Sequence, residues 1–178
     1  ILAHIMKIRV QWIESRSIEQ DCILIQILLN KGEPDLIKLR EIGPDNWRAI
    51  VKLKVKDWQA PLIATNGDSI ARAHYVKDNY PLAIYDDEVP VGFCMYSISP
   101  KGEVWILRMM IGADYQSGGR GKAAMLQLIA LLKDKYGNIP VYISFDPLNI
   151  WAEKLYGSMG FVKDDRDGGD EIVYRLDP

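Results

Sequence analysis

One stretch restricts the fold of this chain more than any other. The β-favouring run Val104-Trp105-Ile106-Leu107-Arg108-Met109-Met110-Ile111 leads into Gln116-Ser117-Gly118-Gly119-Arg120-Gly121-Lys122. Met125, Leu128, Ile129, Leu132 and Tyr136 then recur at helical spacing, and Gly137-Asn138 supplies a stop. Strand, glycine-rich turn and helix follow in that order. The first N–H groups of a helix have no partner within it and together carry about half a positive charge. Three glycines in four positions keep side chains out of the turn, and Arg120 and Lys122 add positive charge beside it. An anion such as a pyrophosphate suits that arrangement.

Two nucleotide-type patterns compete for the turn. Gly119-x-Gly121-x-x-Ala124 fits the dinucleotide fingerprint, with Asp146 after the next apparent strand as a candidate ribose ligand. Gln116, Gly119 and Gly121 meet a second pattern, Q-x-x-G-x-G. It is followed, after the strand Val141-Tyr142-Ile143-Ser144-Phe145, by Asn149-x-x-Ala152-x-x-Leu155-Tyr156-x-x-x-Gly160-Phe161. On these two motifs the chain resembles the GCN5-related N-acetyltransferase (GNAT) family.

The resemblance implies an α/β (α+β) fold: a mixed, mainly antiparallel sheet with helices on both faces and a splayed parallel strand pair holding acetyl-CoA, with CoA as product. It implies that the main chain of Met109, Met110 and Ile111 pairs with the pantetheine arm and holds the thioester carbonyl. It assigns the pyrophosphate to Gln116, Ser117, Gly118, Gly119, Arg120, Gly121 and Lys122, and further cofactor contacts to Asn149, Ala152 and Tyr156. Tyr156 is also the implied catalytic general acid, with a plain packing role, which a Leu-Tyr pair on an amphipathic helix also permits, as the alternative. Within the family the chain looks most like the bacterial spermine/spermidine acetyltransferases, over about residues 36–176. It departs from their usual pattern at Gly112, where an acidic residue is common, and at Ser117-Gly118, where glycine then lysine is more familiar. The implied acceptor is a small-molecule primary amine, a polyamine such as spermidine or spermine. An aminoglycoside, an amino acid, a protein amine, or a non-catalytic acyl-CoA-binding module stand as alternatives.

Length and composition fit one ordinary soluble domain, 178 residues with 48% hydrophobic and 26% charged content. We read the domain as residues 36–178. Residues 1–35 are then an N-terminal extension: a cloning remnant before Met6, an extra element, or a contact in a homodimer. A net charge of −2 argues against a general nucleic-acid binder. Cys22 and Cys94 lie in apolar runs without metal-ligand spacing, so no metal is expected and a reducing, cytoplasmic setting is. The apolar run from Cys22 to Leu29 is too short to span a bilayer, so no membrane anchor is expected.

The remaining segments give local expectations. Leu36 to Ile42 alternates as a strand, with Asp45 as cap of a helix carrying Trp47, Ile50 and Val51. A second helix from Asn66 or Asp68 to about Lys77 places Ile70, Ala73 and His74 on one face. The loop between them, with Trp58, Gln59 and Pro61, lies over the acceptor site if the resemblance holds. Strands over 81–85 and 89–98 flank the acidic turn Asp86-Asp87-Glu88. Asp146 caps the last helix with Pro147 in its first position. Glu103 is a candidate base at the wrong end of its strand, and Arg108 inside an apolar strand needs an acidic partner. The acidic segment from Lys163 to Glu171 reads as a solvated turn, or as a lure for a polyamine if it folds over the cleft.

Overall fold

The computed structural model describes residues 37–178. The expectations for residues 1–36, Cys22 among them, lie outside the described residues. One sheet holds β1 (Ile37–Glu41), β2 (Asn79–Asp86), β3 (Val89–Ile98), β4 (Val104–Ile111), β5 (Val141–Phe145), β6 (Val162–Lys163) and β7 (Ile172–Leu176), in the order β1-β2-β3-β4-β5-β7-β6. The helices among the described residues are α1 (Trp47–Lys52), α2 (Asn66–Tyr75), α3 (Arg120–Tyr136) and α4 (Ile150–Gly157), with a 3-10 turn at Asp57–Leu62 and a shorter one at Ala113–Tyr115. Every neighbouring strand pair is antiparallel except β4 and β5. A doubly wound parallel sheet, which the dinucleotide fingerprint requires, is therefore excluded.

Alternation along the strands divides the apolar residues between two faces. Leu82 and Ile84 of β2 face α3, which buries Ala124, Met125, Leu128, Ile129 and Leu132 against them. Ala83 and Tyr85 face the other way, toward Ile50 of α1, with Ile70 and Ala73 of α2 packed alongside. Burying each such large side chain contributes about 2 kcal/mol, so both helical layers are held by the same twofold repeat. Helices lie on both faces, as expected.

Two bulges break the repeat where the site forms. Ile84 pairs with Gly92 but Tyr85 pairs with Pro90, so Val91 is an extra residue in β3. Met95 pairs with Arg108 but Tyr96 pairs with Ile106, so Leu107 is extra in β4. A bulge bends its strand and increases its twist. Pairing of β4 with β5 ends at Ile106 and Ile143, directly before the Leu107 bulge. Beyond it β4 leaves β5, and the parallel pair splays.

Several local expectations need correction. Asp45 does not cap α1; Asn46 stands there, and its Oδ1 accepts from Gly43 N at 2.9 Å, closing the turn. The cap of α4 is Asn149, whose Oδ1 accepts from Ala152 N at 3.1 Å, so Asp146 and Pro147 precede the helix. Asp146 makes its own turn by accepting from Leu148 N at 2.7 Å. That short-range bond competes with capping for an aspartate placed before proline. α2 ends at Tyr75, capped at its start by Thr65, and His74 is exposed instead of sharing the face of Ile70 and Ala73.

Candidate active site

Past the last β4–β5 pair the gap opens into a cavity of about 880 Å³. Met109, Met110 and Ile111 line it from β4, where departure from β5 leaves one edge of the strand unpaired. Gly92 makes this wall compact: a Cβ there would stand 2.5 Å from Met110 O.

At one end the chain turns into α3 through three consecutive residues of positive φ: Ser117 at 85°, Gly118 at 67° and Gly119 at 80°. Such angles cost a residue with a Cβ about 1–2 kcal/mol, so Ser117 is strained and the glycines are not. The first intrahelical bond runs from Ala123 N to Gly119 O at 3.0 Å. It leaves the N–H groups of Arg120, Gly121 and Lys122 without helical acceptors, and no side chain caps them. Gly121 lies on the cavity between Ile111 and Leu155, and Ser117 lines it as well. Gly118, Gly119, Arg120 and Lys122 are not among the cavity's walls. The Arg120 side chain, expected to add charge to the turn, donates from Nε to Asp86 Oδ2 at 2.6 Å and ties α3 to the end of β2. Gln116 lines the cavity with its side chain already engaged: Nε2 donates to Gln59 Oε1 at 2.7 Å and to Ile111 O at 3.0 Å. It braces the end of β4 against the 3-10 turn.

α4 supplies the opposite wall. Asn149, Ala152 and Tyr156 all face the cavity, Asn149 doubling as the helix cap. Tyr156 is 6% exposed, with Phe145 edge-on at 5.3 Å between ring centres and Phe161 at 5.9 Å. Its hydroxyl has no hydrogen-bond partner among the described residues. Burial pushes the phenol above its usual range, so it holds its proton at neutral pH.

The remaining wall joins groups far apart in sequence. Trp58, Gln59 and Pro61 from the segment before α2 reach the cavity. Glu171, immediately before β7, lines it too, and its Oε2 accepts from Ser144 Oγ at 2.5 Å. Glu171 closes the acidic segment read from the sequence as a solvated turn or, folded over the cleft, a lure for a polyamine; its bond to Ser144 was not foreseen, and its one signal was a serine inside the apolar strand β5. Arg108 donates from Nη1 to Leu107 O at 2.6 Å, while its Nε is buried without a partner. Burial first, and Arg72 second, lower its pKa, with Glu171 acting in the other direction. Glu103 lies outside the cavity. Arg166 Nη1 donates to its Oε1 at 2.7 Å and holds that carboxyl below the usual range. Among the described residues no group of three or more His, Cys, Asp or Glu could hold a metal ion, and no helix is long and apolar enough to cross a membrane.

This cavity between splayed parallel strands can now be set beside known proteins. Residues 47–161 match the model of the acetyltransferase (GNAT) family. The chain belongs to that family. It is an acetyl-CoA-dependent N-acetyltransferase, as the two motifs implied. A spermine/spermidine N(1)-acetyltransferase of Bacillus subtilis (strain 168) is 32% identical over 135 residues, covering 70% of this chain and 87% of that protein. Among solved structures, the PaiA N-acetyltransferase of Thermoplasma acidophilum in complex with coenzyme A superposes with a TM-score of 0.62 at 17% identity, covering 80% of this chain and 99% of that one. Arabidopsis thaliana Naa50 in complex with the bisubstrate analogue CoA-Ac-MVNAL gives 0.58 at 18% identity, with 80% and 99% covered. In this GNAT enzyme Gly112, just past the end of β4, has little room for a side chain. A Cβ there would meet Leu53 Cδ2 at 3.2 Å and Tyr115 Cδ2 at 3.3 Å, so Leu53 from the end of α1 takes the space.

Proposed function

We propose that the protein moves the acetyl group of acetyl-CoA to a primary amine of the polyamine class, spermidine or spermine, with Tyr156 as general acid and Glu171 receiving an ammonium group. One observation carries the reading: a single cavity is lined by a protonated, buried phenol and by a carboxylate. Likeness to the Bacillus spermine/spermidine enzyme supports the acceptor class. The residues present fit the cofactor. Backbone N–H groups of Arg120, Gly121 and Lys122 offer donors for a pyrophosphate, and the free edge from Met109 to Ile111 offers a strand for an amide-bearing arm. Acetyl-CoA supplies the activated thioester. A backbone N–H on that β4 edge polarises the carbonyl, Glu171 orients the amine, and Tyr156 donates its proton to the departing sulfur.

The test is thiol release from acetyl-CoA with a panel of amines, amino acids and aminoglycosides, for wild type and Tyr156→Phe. Turnover with spermidine or spermine that falls about 100-fold or more in the variant supports both the acceptor and the acid. With its pKa raised by burial, Tyr156 keeps its proton up to at least pH ~10, so it contributes no loss of rate across the neutral range. Turnover confined to amino acids or aminoglycosides would replace the polyamine. Tight acetyl-CoA binding with no turnover of any amine would leave an acyl-CoA-binding module.

A further inference from the structure

A primary ammonium with a pKa of about 10 holds its proton at pH 7 and cannot attack a thioester. Some feature of the cavity must therefore favour the neutral amine. The feature is visible at Arg108. Without the bulge at Leu107, regular twofold alternation from Ile106 would turn Arg108 into the core beneath α3. With it, Arg108 shares the face of Met110, on the side of the sheet where α2 brings Arg72. There it lines the cavity together with Glu171. Its one hydrogen bond runs to a neutral carbonyl, its Nε is buried without a partner, and it forms no ion pair among the described residues. The positive charge thus stands in the site without an ion-pair partner among the described residues, and Glu171 acts on it only at longer range.

We propose that Arg108 keeps the reacting amine of the acceptor neutral, and so nucleophilic, by charge repulsion within the cavity. The inference rests on the reading of the protein as an amine acetyltransferase. A guanidinium does not give up its proton in proteins. When it and an ammonium share a poorly solvated space, the amine is the group that yields, as with other amines activated by a neighbouring cation. The ionisable groups around it are Arg72 from α2, Lys56 from the segment after α1, Glu171 before β7 and Tyr156 from α4. Arg72 and Lys56 add to the repulsion. Glu171 accepts the proton or passes it to water, which gives a second, independent use to a carboxylate already hydrogen-bonded by Ser144.

The step balances as follows. R–NH3+ releases one proton to Glu171 or water; the nitrogen lone pair forms the C–N bond at the thioester carbon; the C–S bond breaks, and the sulfur takes the Tyr156 proton. The amide nitrogen then loses its second proton, which restores the phenol directly or through water. The products are the amide, free thiol and one proton in solution.

The experiment is kcat against pH, by thiol release with spermidine and saturating acetyl-CoA, for wild type, Arg108→Gln and Arg108→Lys. The expected result for Arg108→Gln is a midpoint about one pH unit higher and kcat at pH 7 about tenfold lower. Acceptor KM stays level or falls, because a repulsive charge has gone. Arg108→Lys returns the midpoint toward wild type. An unchanged acetyl-CoA KM in both variants reports that the rest of the cavity is intact. An unmoved midpoint overturns the inference. So does a raised acceptor KM with an unmoved midpoint, which would make Arg108 a binder of an acidic group on the acceptor. Thiol release by wild type with no amine at all overturns the underlying reading and this inference with it.

Discussion

The two sides of the cavity are made from different materials. Toward α3 the wall is main chain: the unpaired edge of β4 with Ser117 and Gly121, while the rest of the left-handed turn and the open N–H groups of Arg120 and Lys122 lie next to it in the chain, outside the wall itself. Toward α2 and β7 it is side chain: Arg108, Ser144, Glu171 and Trp58, delivered by four separate segments. Main-chain donors point wherever the fold puts them and survive most substitutions, which suits a group that never changes. Side chains can be exchanged one at a time, which suits a partner that differs between related enzymes. Under the proposed function the constant partner is the acetyl carrier, and the variable one is the amine.

The largest expected effect breaks the main-chain side. A Cβ on Gly92 meets Met110 O at 2.5 Å, Ile111 Cδ1 at 3.0 Å and Ile84 Cδ1 at 3.1 Å. The first of these is backbone and cannot swing away. Gly92→Ala should therefore push β4 out of place, lower stability by about 1–3 kcal/mol, and raise the KM for acetyl-CoA. Thermal unfolding and steady-state kinetics read both. Unchanged values would mean that this wall is more pliant than main-chain construction implies.

A smaller effect separates the sides. Glu171→Gln keeps the hydrogen bond from Ser144 within reach but removes the charge. The KM for a polyamine should rise about tenfold, near 1.5 kcal/mol, with the KM for acetyl-CoA unchanged. Equal changes in both would show that the walls are coupled, and the division into constant and variable halves would fail.

The same division decides what could be read from the sequence. Glycines at positive φ, a helix start and an apolar strand are neighbours in the chain, so the strand, turn and helix from Val104 to Tyr136 were legible as one unit. The acceptor wall was not. Arg108 and Glu171 line one cavity only because β7 inserts beside β5, and nothing local to either residue records that. The bulge at Leu107, which sets the face of Arg108, is likewise a property of the β3 register. Charge near a glycine turn was a weaker guide than backbone geometry: Arg120 is drawn to Asp86, at the tip of the neighbouring hairpin. Glu103 shows the same limit. Its partner Arg166 lies in the acidic segment, whose other charges gave no reason to expect a latch onto β4.

The smallest predicted effect sharpens the comparison at the one place where a side chain intrudes on the main-chain wall. Ser117 adopts φ +85° between Gln116 and two glycines, and it faces the cavity. Ser117→Gly removes a steric cost of about 1–2 kcal/mol, but it also frees the unfolded chain, which gives back about 0.4–1 kcal/mol. The net expectation is a gain of about 0.5 kcal/mol, read as a rise of roughly 1–2 °C in Tm for a chain of this length. Because the turn is built from N–H groups, the acetyl-CoA KM should hold or fall slightly while the acceptor KM stays put. If the variant instead binds acetyl-CoA several-fold more weakly, the serine hydroxyl is itself a ligand. The cofactor wall would then depend on a side chain after all.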